Sequence, residues 1–197
     1  RKRVSDHGEV FTSEREVNAM LDLVKQETER IDSRFLEPAC GTGNFLAEVL
    51  RRKLAIVKAK YSKNKLDYER FAFLALTSIY GVELLEDNVL ECRNRMLGIL
   101  IDEYKKVLKV RPDDSYLLAS KFILDRNILH GDALTMLEED GGPIIFSEWS
   151  FVSGDMVKRR DFRFDELLVG NQKQISIFTM GWEYDEEIEA YIPAPIK

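Results

Sequence analysis

The sequence predicts an α/β fold in which an open, mostly parallel sheet of about four strands carries helices on both faces. The first observation is a short apolar strand near 35–37 that leads through a glycine-rich turn into a helix. The other two are a strand at 79–83, which follows a helix and ends at an acidic residue, and a strand at 127–130, which also follows a helix and is followed by Gly131 and Asp132. Because parallel strands end at one edge of a sheet, the three acids are expected to line one pocket there.

Apolar residues at helical spacing predict the helices. Ser13 and Glu16 form a capping box, and the helix that follows runs to about Lys25 and is expected to lie over the crevice at the sheet edge. Further helices are predicted at 44–58, 67–78 and 115–125, and a long one begins at Asp87. A fourth strand is predicted at 144–149 from its apolar content.

Composition limits the classes of function that the chain can have. With 197 residues and 45% hydrophobic content, it can bury one domain's core. A net charge of −6 argues against strong DNA binding by this chain alone, because affinity for duplex DNA depends on neutralising phosphates. No run of membrane-spanning length and no signal peptide is seen, so a cytoplasmic protein is expected.

Histidine and cysteine usage argues against a metal site. Cys40 and Cys92 lack metal-ligand spacing, and Cys92 is expected in the core. The chain has two histidines, His7 and His130, which excludes a histidine-rich site, and His130 is expected to be a buried strand residue. We therefore expect no metal.

The turn after the first strand is the most informative stretch. Gly41 and Gly43 allow positive φ angles and let a ligand approach the main chain, and Asn44 can cap the following helix. A dinucleotide-binding turn would need a third glycine where Leu46 stands, and the Gly-Lys-Ser/Thr of a phosphate-binding loop is absent. What remains is Glu37 at the strand tip, which suits a ligand with a cationic or amino group.

The sequence Glu-Pro-Ala-Cys-Gly-Thr-Gly-Asn-Phe at 37–45 resembles the S-adenosylmethionine (SAM) loop of amino-group DNA methyltransferases, specifically the N6-adenine enzymes of restriction-modification systems. The resemblance implies SAM as cofactor and a Rossmann-like methyltransferase sheet, here truncated relative to seven strands. In such a sheet, the fourth strand would lie beside the first, with its tip facing the methyl group of the cofactor. The loop residues expected to bind SAM are Glu37, Pro38, Ala39, Gly41, Gly43, Asn44 and Phe45, the last near the adenine.

Two later segments resemble further motifs of the same family. Gly81-Val82-Glu83-Leu84 resembles the second motif. Glu83 can accept from both ribose hydroxyls, although a carboxylate here could also cap the next helix. Gly131-Asp132-Ala133 resembles the third, whose aspartate accepts from the exocyclic amine of the adenine, although Gly-Asp is also common in turns. We expect Glu83, Leu84, Asp132 and Ala133 in the cofactor site.

The segment before the first helix resembles the one that precedes the SAM loop in these enzymes. It reads Gly-Glu-Val-Phe-Thr at 8–12, so Phe11 and Thr12 are expected to help bind the cofactor. A helix N-terminus attracts an anion such as the cofactor's carboxylate. The alternative is an ordinary helix cap.

The catalytic motif of the family, Asn/Asp-Pro-Pro-Tyr/Phe, is not found. The chain has no Pro-Pro pair, and Gln172-Lys173-Gln174 stands where Pro-Pro-Tyr would follow Asn171. Asn171 is therefore a weak catalytic candidate, with a turn residue as the alternative. In the family, the polar side chain accepts from the target amine, and the aromatic residue stacks on a flipped base.

The resemblance implies a SAM-dependent DNA adenine-N6 methyltransferase domain of a restriction-modification system. Residues 1–150 would form the SAM-binding core, and 151–197 an extension whose role the sequence leaves open. DNA would be recognised with a specificity subunit, another restriction-modification partner chain or a missing C-terminal region. Two alternatives remain: a catalytically inactive SAM-binding remnant or partner subunit, and a methyltransferase that acts on a substrate other than DNA.

Overall fold

The computed structural model describes residues 12–152 and 157–169 of the 197-residue chain. The helices are α1 (Glu14–Leu23), α2 (Lys25–Thr28), α3 (Asn44–Tyr61), α4 (Lys65–Thr77), α5 (Glu86–Leu108), α6 (Asp114–Asn127) and α7 (Phe164–Val169). The strands are β1 (Phe35–Glu37), β2 (Ile79–Glu83), β3 (Ile128–Asp132), β4 (Leu137–Glu138), β5 (Ile145–Phe151) and β6 (Val157–Arg163). None of the described helices combines the length and the apolar character needed to cross a membrane.

A four-stranded, mostly parallel sheet lies at the centre of the fold. Its strand order is β1-β2-β3-β4, in which β1, β2 and β3 are parallel and β4 is antiparallel to β3. Helices connect the parallel strands, as crossover connections require. The predicted α/β class is confirmed, and the predicted helices and first three strands lie within a few residues of their expected bounds.

The position predicted for the fourth strand was wrong. The segment 144–149 does not lie beside β1 but forms most of β5, which pairs with β6 in a separate antiparallel hairpin. The register of this hairpin places Phe146 opposite Phe162 and Glu148 opposite Arg160. Such aromatic and oppositely charged cross-strand pairs stabilise a hairpin, and they explain why β5 pairs with β6.

The direction of β5 also differs from the expectation. Near its start, the N–H of Ile144 donates to the carbonyl oxygen of Met136, which follows β3 (3.0 Å). Near its end, Nε1 of Trp149 donates to Oδ1 of Asn127, the residue just before β3 (2.8 Å). The tip of β5 therefore points away from the edge at which β1, β2 and β3 end.

The two faces of the sheet have different covers. Side chains alternate between the faces of a strand. On one face, Ile79 and Ile128 belong to the core that is built with the helices. On the other face, Tyr80 packs with Phe146 of the hairpin and with Phe164, the first residue of α7. The expectation of helices on both faces is corrected: among the described residues, the second face is covered mainly by the β5–β6 hairpin.

A buried lysine anchors α3 at the amino end of β1. Lys53 is fully buried, and its ammonium donates to the carbonyl oxygens of Ile31 (3.1 Å) and Ser33 and to the hydroxyl of Ser78. The same group lies 5.1 Å from the centre of the Phe35 ring. Burial lowers the pKa of Lys53 from 10.5 to about 7.

Candidate functional site

The three acids predicted at the strand ends lie at one edge of the sheet. In the strand register, Glu37 is opposite Gly81, and Glu83 is opposite His130. Asp132 is the last residue of β3. Each acid therefore extends two residues, or about 7 Å, further along the strand direction than the one before it. The acids form a rising row across three neighbouring strands.

All three acids also project toward the same face. Each stands an even number of residues after a strand residue that packs against the helices, and side chains two apart share a face. Those packed residues are Phe35, Ile79 and Ile128. The row of carboxylates thus lies above the face that α3 and α5 cover, where the glycine turn also lies.

The glycine turn is shaped by two residues with positive φ. Gly41 has φ +51°, and a Cβ added to it would meet nothing within 4 Å. Gly43 has φ +82°, and its added Cβ would lie 2.5 Å from Sγ of Cys92. Gly43 is therefore required for packing against α5, whereas Gly41 leaves an open approach to the main chain. Asn44 was expected to cap α3, but Gly43 is the N-cap and Asn44 the first helical residue.

Asn44 instead ties the segment before α1 to the turn. Its Nδ2 donates to the carbonyl oxygen of Thr12 (3.3 Å), and its Oδ1 accepts from the guanidinium of Arg95. The capping box of Ser13 and Glu16 is confirmed. Thr12 thus lies beside the glycine turn, as expected, whereas Phe11 lies outside the described residues.

Glu83 holds the glycine turn in place. Its Oε2 accepts from the N–H of Gly41 (2.8 Å), and its Oε1 accepts from the N–H of Leu85 (3.1 Å) and the amide of Asn88 (3.3 Å). The side chain is buried. A carboxylate has about four lone-pair sites, so these bonds leave capacity for a hydroxyl donor. Glu83 therefore has a structural role in the turn, and its role toward a ligand stays a prediction.

Glu37 differs from Glu83 because no described residue donates a hydrogen bond to its carboxylate. The side chain is half-buried. Burial raises the pKa of Glu37 above its ordinary value of 4.5. A partly desolvated carboxylate without a protein partner favours a donor or cation supplied by a ligand.

Asp132 and two leucines complete the edge. Oδ1 of Asp132 accepts from the N–H of Leu134 (2.8 Å), which leaves its second oxygen for another donor. Leu84 and Leu134, the residues that follow β2 and β3 closely, have exposed side chains (54% and 91%). Ala133 packs against the hairpin-side core instead. Exposed leucines beside carboxylates suit a ligand that is both apolar and rich in hydrogen-bond donors.

The remaining expected residues are less closely tied to the edge. Pro38 and Ala39 are exposed in the turn. Phe45 is half-buried and packs against the helix-side core. Asn171 lies outside the described residues, so its predicted catalytic role stays a prediction.

The sequence interpretation missed Leu134, Asn88 and Arg95. Leu134 could have been found, because it is an apolar residue just after a strand-end acid, as Leu84 is. Asn88 and Arg95 lie on α5 and carry no local signal. Their roles depend on contacts with Glu83 and Asn44, which are distant in the sequence.

No protein-family model matches the chain, and neither a curated protein nor a solved structure matches it. The functional argument therefore depends on the geometry of this edge and on the motifs in the sequence.

Proposed function

We propose that the chain binds SAM at the carboxyl edge of β1, β2 and β3 and is the cofactor-binding part of a DNA adenine-N6 methyltransferase of a restriction-modification system. One observation carries the proposal. Carboxylates from three neighbouring parallel strands share an edge and a face, next to a glycine turn that is open at Gly41. SAM presents several separate donors along one molecule, as such a row of acceptors requires.

The donors of SAM match the row of acids in number and kind. Its amino group would lie at Glu37, the half-buried carboxylate that accepts no hydrogen bond from the described residues. One of its ribose hydroxyls would donate to Oε2 of Glu83, and the exocyclic amine of its adenine would lie at Asp132. Leu84 and Leu134 would flank the adenine ring. Thr12 and the N–H groups that begin α1 would face the carboxylate, as a helix N-terminus favours an anion.

When bound, SAM would supply a methyl group carried on its sulfonium sulfur: an amine nitrogen would attack the methyl carbon in line while the carbon–sulfur bond breaks and the thioether leaves. The protein's contribution is to orient the two groups and keep water out. The open main chain at Gly41 gives the ligand access, and Glu83 fixes the position of that main chain through one hydrogen bond of 2.8 Å. The target is proposed to be adenine in DNA, because the turn resembles that of the adenine-N6 enzymes.

Calorimetric titration of SAM tests the cofactor site, with Glu37→Gln as the main variant. The substitution keeps the side-chain volume and removes the charge, so affinity should fall by about 1–3 kcal/mol. Glu91→Gln on the exposed surface of α5 is the matched control and should bind as the wild type does. Glu83→Ala is less informative, because it would also release Gly41. Equal affinities of the wild type and Glu37→Gln would remove Glu37 from the site.

A second candidate function is SAM binding without catalysis by this chain, as a remnant or as a partner subunit. Two observations favour it: the chain has no Pro-Pro pair, and the tip of β5 points away from the carboxylate edge. Transfer of tritiated methyl groups to DNA, RNA and small amines separates the candidates. Label in adenine supports the first, binding without transfer the second, and label elsewhere a methyltransferase with another substrate. Transfer restored by a restriction-modification partner chain would indicate a divided enzyme.

A further inference from the structure

His130 lies among the acidic strand ends and bridges two turns. It is opposite Glu83 in the register of β2 and β3. Its Nε2 is 3.0 Å from the carbonyl oxygen of Leu84, in the turn after β2. Its Nδ1 is 3.3 Å from Oε2 of Glu139, in the turn after β4, and its side chain is 25% exposed. The ring therefore spans the rim of the candidate site from one turn to the other.

The chemistry of the two contacts selects one form of the ring. A carbonyl oxygen and a carboxylate oxygen only accept hydrogen bonds. A neutral imidazole donates from one nitrogen and presents a lone pair at the other, whereas the imidazolium donates from both. Only the protonated ring of His130 therefore makes both contacts at once, and the neutral ring sets a lone pair against an oxygen at Leu84 or Glu139.

The neighbouring strands and turns contribute mainly negative charge. Glu83 on β2 and Asp132 on β3 flank the ring on the acid face. Glu138 ends β4, and Glu139 follows it. The ion pair with Glu139 is the contact of the ring that requires its charged form.

The helices packed on β3 add little opposing charge near the ring. The first turn of α5 carries Glu86 and Asp87. The guanidinium of Arg93 on α5 donates to the carbonyl oxygen of Ile128 (3.0 Å), at the far end of β3 from the acids, and forms an ion pair with Asp125 of α6 (3.2 Å). The guanidinium of Arg93 is thus held at the amino end of the strand, whereas that of Arg95, also on α5, is bonded to Asn44 at the glycine turn.

We propose that His130 is a positioning residue whose protonated ring holds the Leu84 turn and the Glu139 turn together, and whose neutral ring releases one of them. The part that concerns the ligand rests on the proposed function, because Leu84 flanks the edge at which SAM is placed. Histidine side chains change charge between about pH 5 and 8. His130 therefore holds the Leu84 turn and the Glu139 turn together near pH 5 and releases one of them near pH 8. The affinity for SAM is expected to fall as pH rises over this interval.

The first test needs no ligand. Nitrogen–proton NMR of the imidazoles is followed from pH 5 to 8.5, and His7→Gln assigns the other histidine. Glu139→Gln keeps an acceptor oxygen but removes the charge, so the Nδ1 proton of the protonated ring should exchange faster with water. At pH 6, His130→Gln should lower amide exchange protection at 84–86 about three- to tenfold, as expected for one hydrogen bond. An unchanged exchange rate of the Nδ1 proton or equal amide protection overturns the proposal.

The second test measures SAM affinity at pH 6 and pH 8. Glutamine donates one hydrogen bond without titrating, as the neutral ring does. His130→Gln should therefore match the wild type at pH 8 and lack its gain of about three- to tenfold at pH 6. The ratio of the two proteins cancels the titration of SAM itself, and identical pH profiles overturn the ligand part. If SAM binds at neither pH, the proposed function fails, while the first test still decides whether His130 holds the turns.

Discussion

At the scale of single residues, the carboxylates of the three acids at the sheet edge have different hydrogen-bond environments. Glu83 accepts hydrogen bonds from Gly41, Leu85 and Asn88, whereas no described residue donates one to Glu37. Glu37 is consequently the acid whose environment a ligand would change most. Its ionisation should also be visible in the stability of the ligand-free protein.

Glu37→Gln should change the pH dependence of unfolding. Burial raises the pKa of Glu37 above 4.5 in the folded chain. Between 4.5 and the folded pKa, the folded state holds a proton that the unfolded state has released, so this group makes the free energy of unfolding fall as pH rises. The glutamine variant should lack that fall and be more stable at pH 7. Urea unfolding from pH 4 to 7 measures it, and parallel curves for the two proteins would argue against a desolvated Glu37.

The two glycines of the turn should differ in their tolerance of alanine. Gly41→Ala places a Cβ in open space at positive φ and should cost about 1–2 kcal/mol of stability. Gly43→Ala adds a clash with Sγ of Cys92 and should cost about 2–4 kcal/mol. Urea denaturation of both variants gives the comparison. A loss at Gly41 as large as that at Gly43 would show that the turn is not open as described.

The strand-end acids were predictable from the sequence, whereas their surroundings were only partly so. Glu37, Glu83 and Asp132 each stand at a visible strand end, and alternation fixes their face once the strand is known. Asn44 was assigned the wrong role because its type suits a cap, yet Gly43 already occupies that position. Asn88 acts through a side-chain contact that no local pattern marks.

At the scale of helices and strands, local sequence patterns predicted those elements whose formation depends on residues close together in the sequence. The helices and β1, β2 and β3 follow from hydrophobic periodicity and turn residues. The placement of β5 depends on its partner β6, whose Val-Lys-Arg-Arg-Asp-Phe-Arg sequence has weak apolar alternation. Its direction depends on contacts such as Trp149 with Asn127, which are made across 22 residues of chain.

Asn127 should be a stability determinant because it joins three elements. Its amide donates to the carbonyl oxygens of Thr77 (3.2 Å) and Ile79 (3.0 Å), and its Oδ1 accepts from Trp149. Asn127→Leu would leave these buried groups without partners and should cost about 2–4 kcal/mol. Thermal and urea unfolding measure the loss, with Trp149→Phe as a milder companion that removes one bond. If Asn127→Leu were neutral, the described packing of β5 beneath the sheet would be wrong.

Lys53 should make the contact between α3 and β1 pH-dependent. Its folded pKa of about 7 is below the ordinary 10.5, so the unfolded chain binds more protons between these values. The free energy of unfolding should therefore rise with pH from about 7 to 10.5 on account of this group. Lys53→Met should lose that rise and, because Ile31 and Ser33 lose their donor, about 1–3 kcal/mol at pH 9. The check is urea unfolding at pH 6.5, 8 and 9.5, where an identical pH slope in both proteins would refute the assignment.

For the whole molecule, the negative net charge disfavours binding of DNA by the chain alone but does not oppose binding of a cofactor. A chain with a net charge of −6 gains little from counterion release. We expect it to bind a 30-base-pair duplex more weakly than about 1 µM at physiological salt, and more tightly once a specificity subunit is added. Fluorescence anisotropy measures both. Submicromolar binding by the chain alone would show that it carries its own DNA interface.

The central claim is that three strands present their terminal acids to one SAM molecule, and a crystal structure of the chain with SAM tests it most directly. The account predicts the amino group of SAM within about 3 Å of Glu37, one ribose hydroxyl at Glu83 and the adenine amine at Asp132. SAM bound elsewhere, or an empty carboxylate edge at saturating SAM, would contradict it.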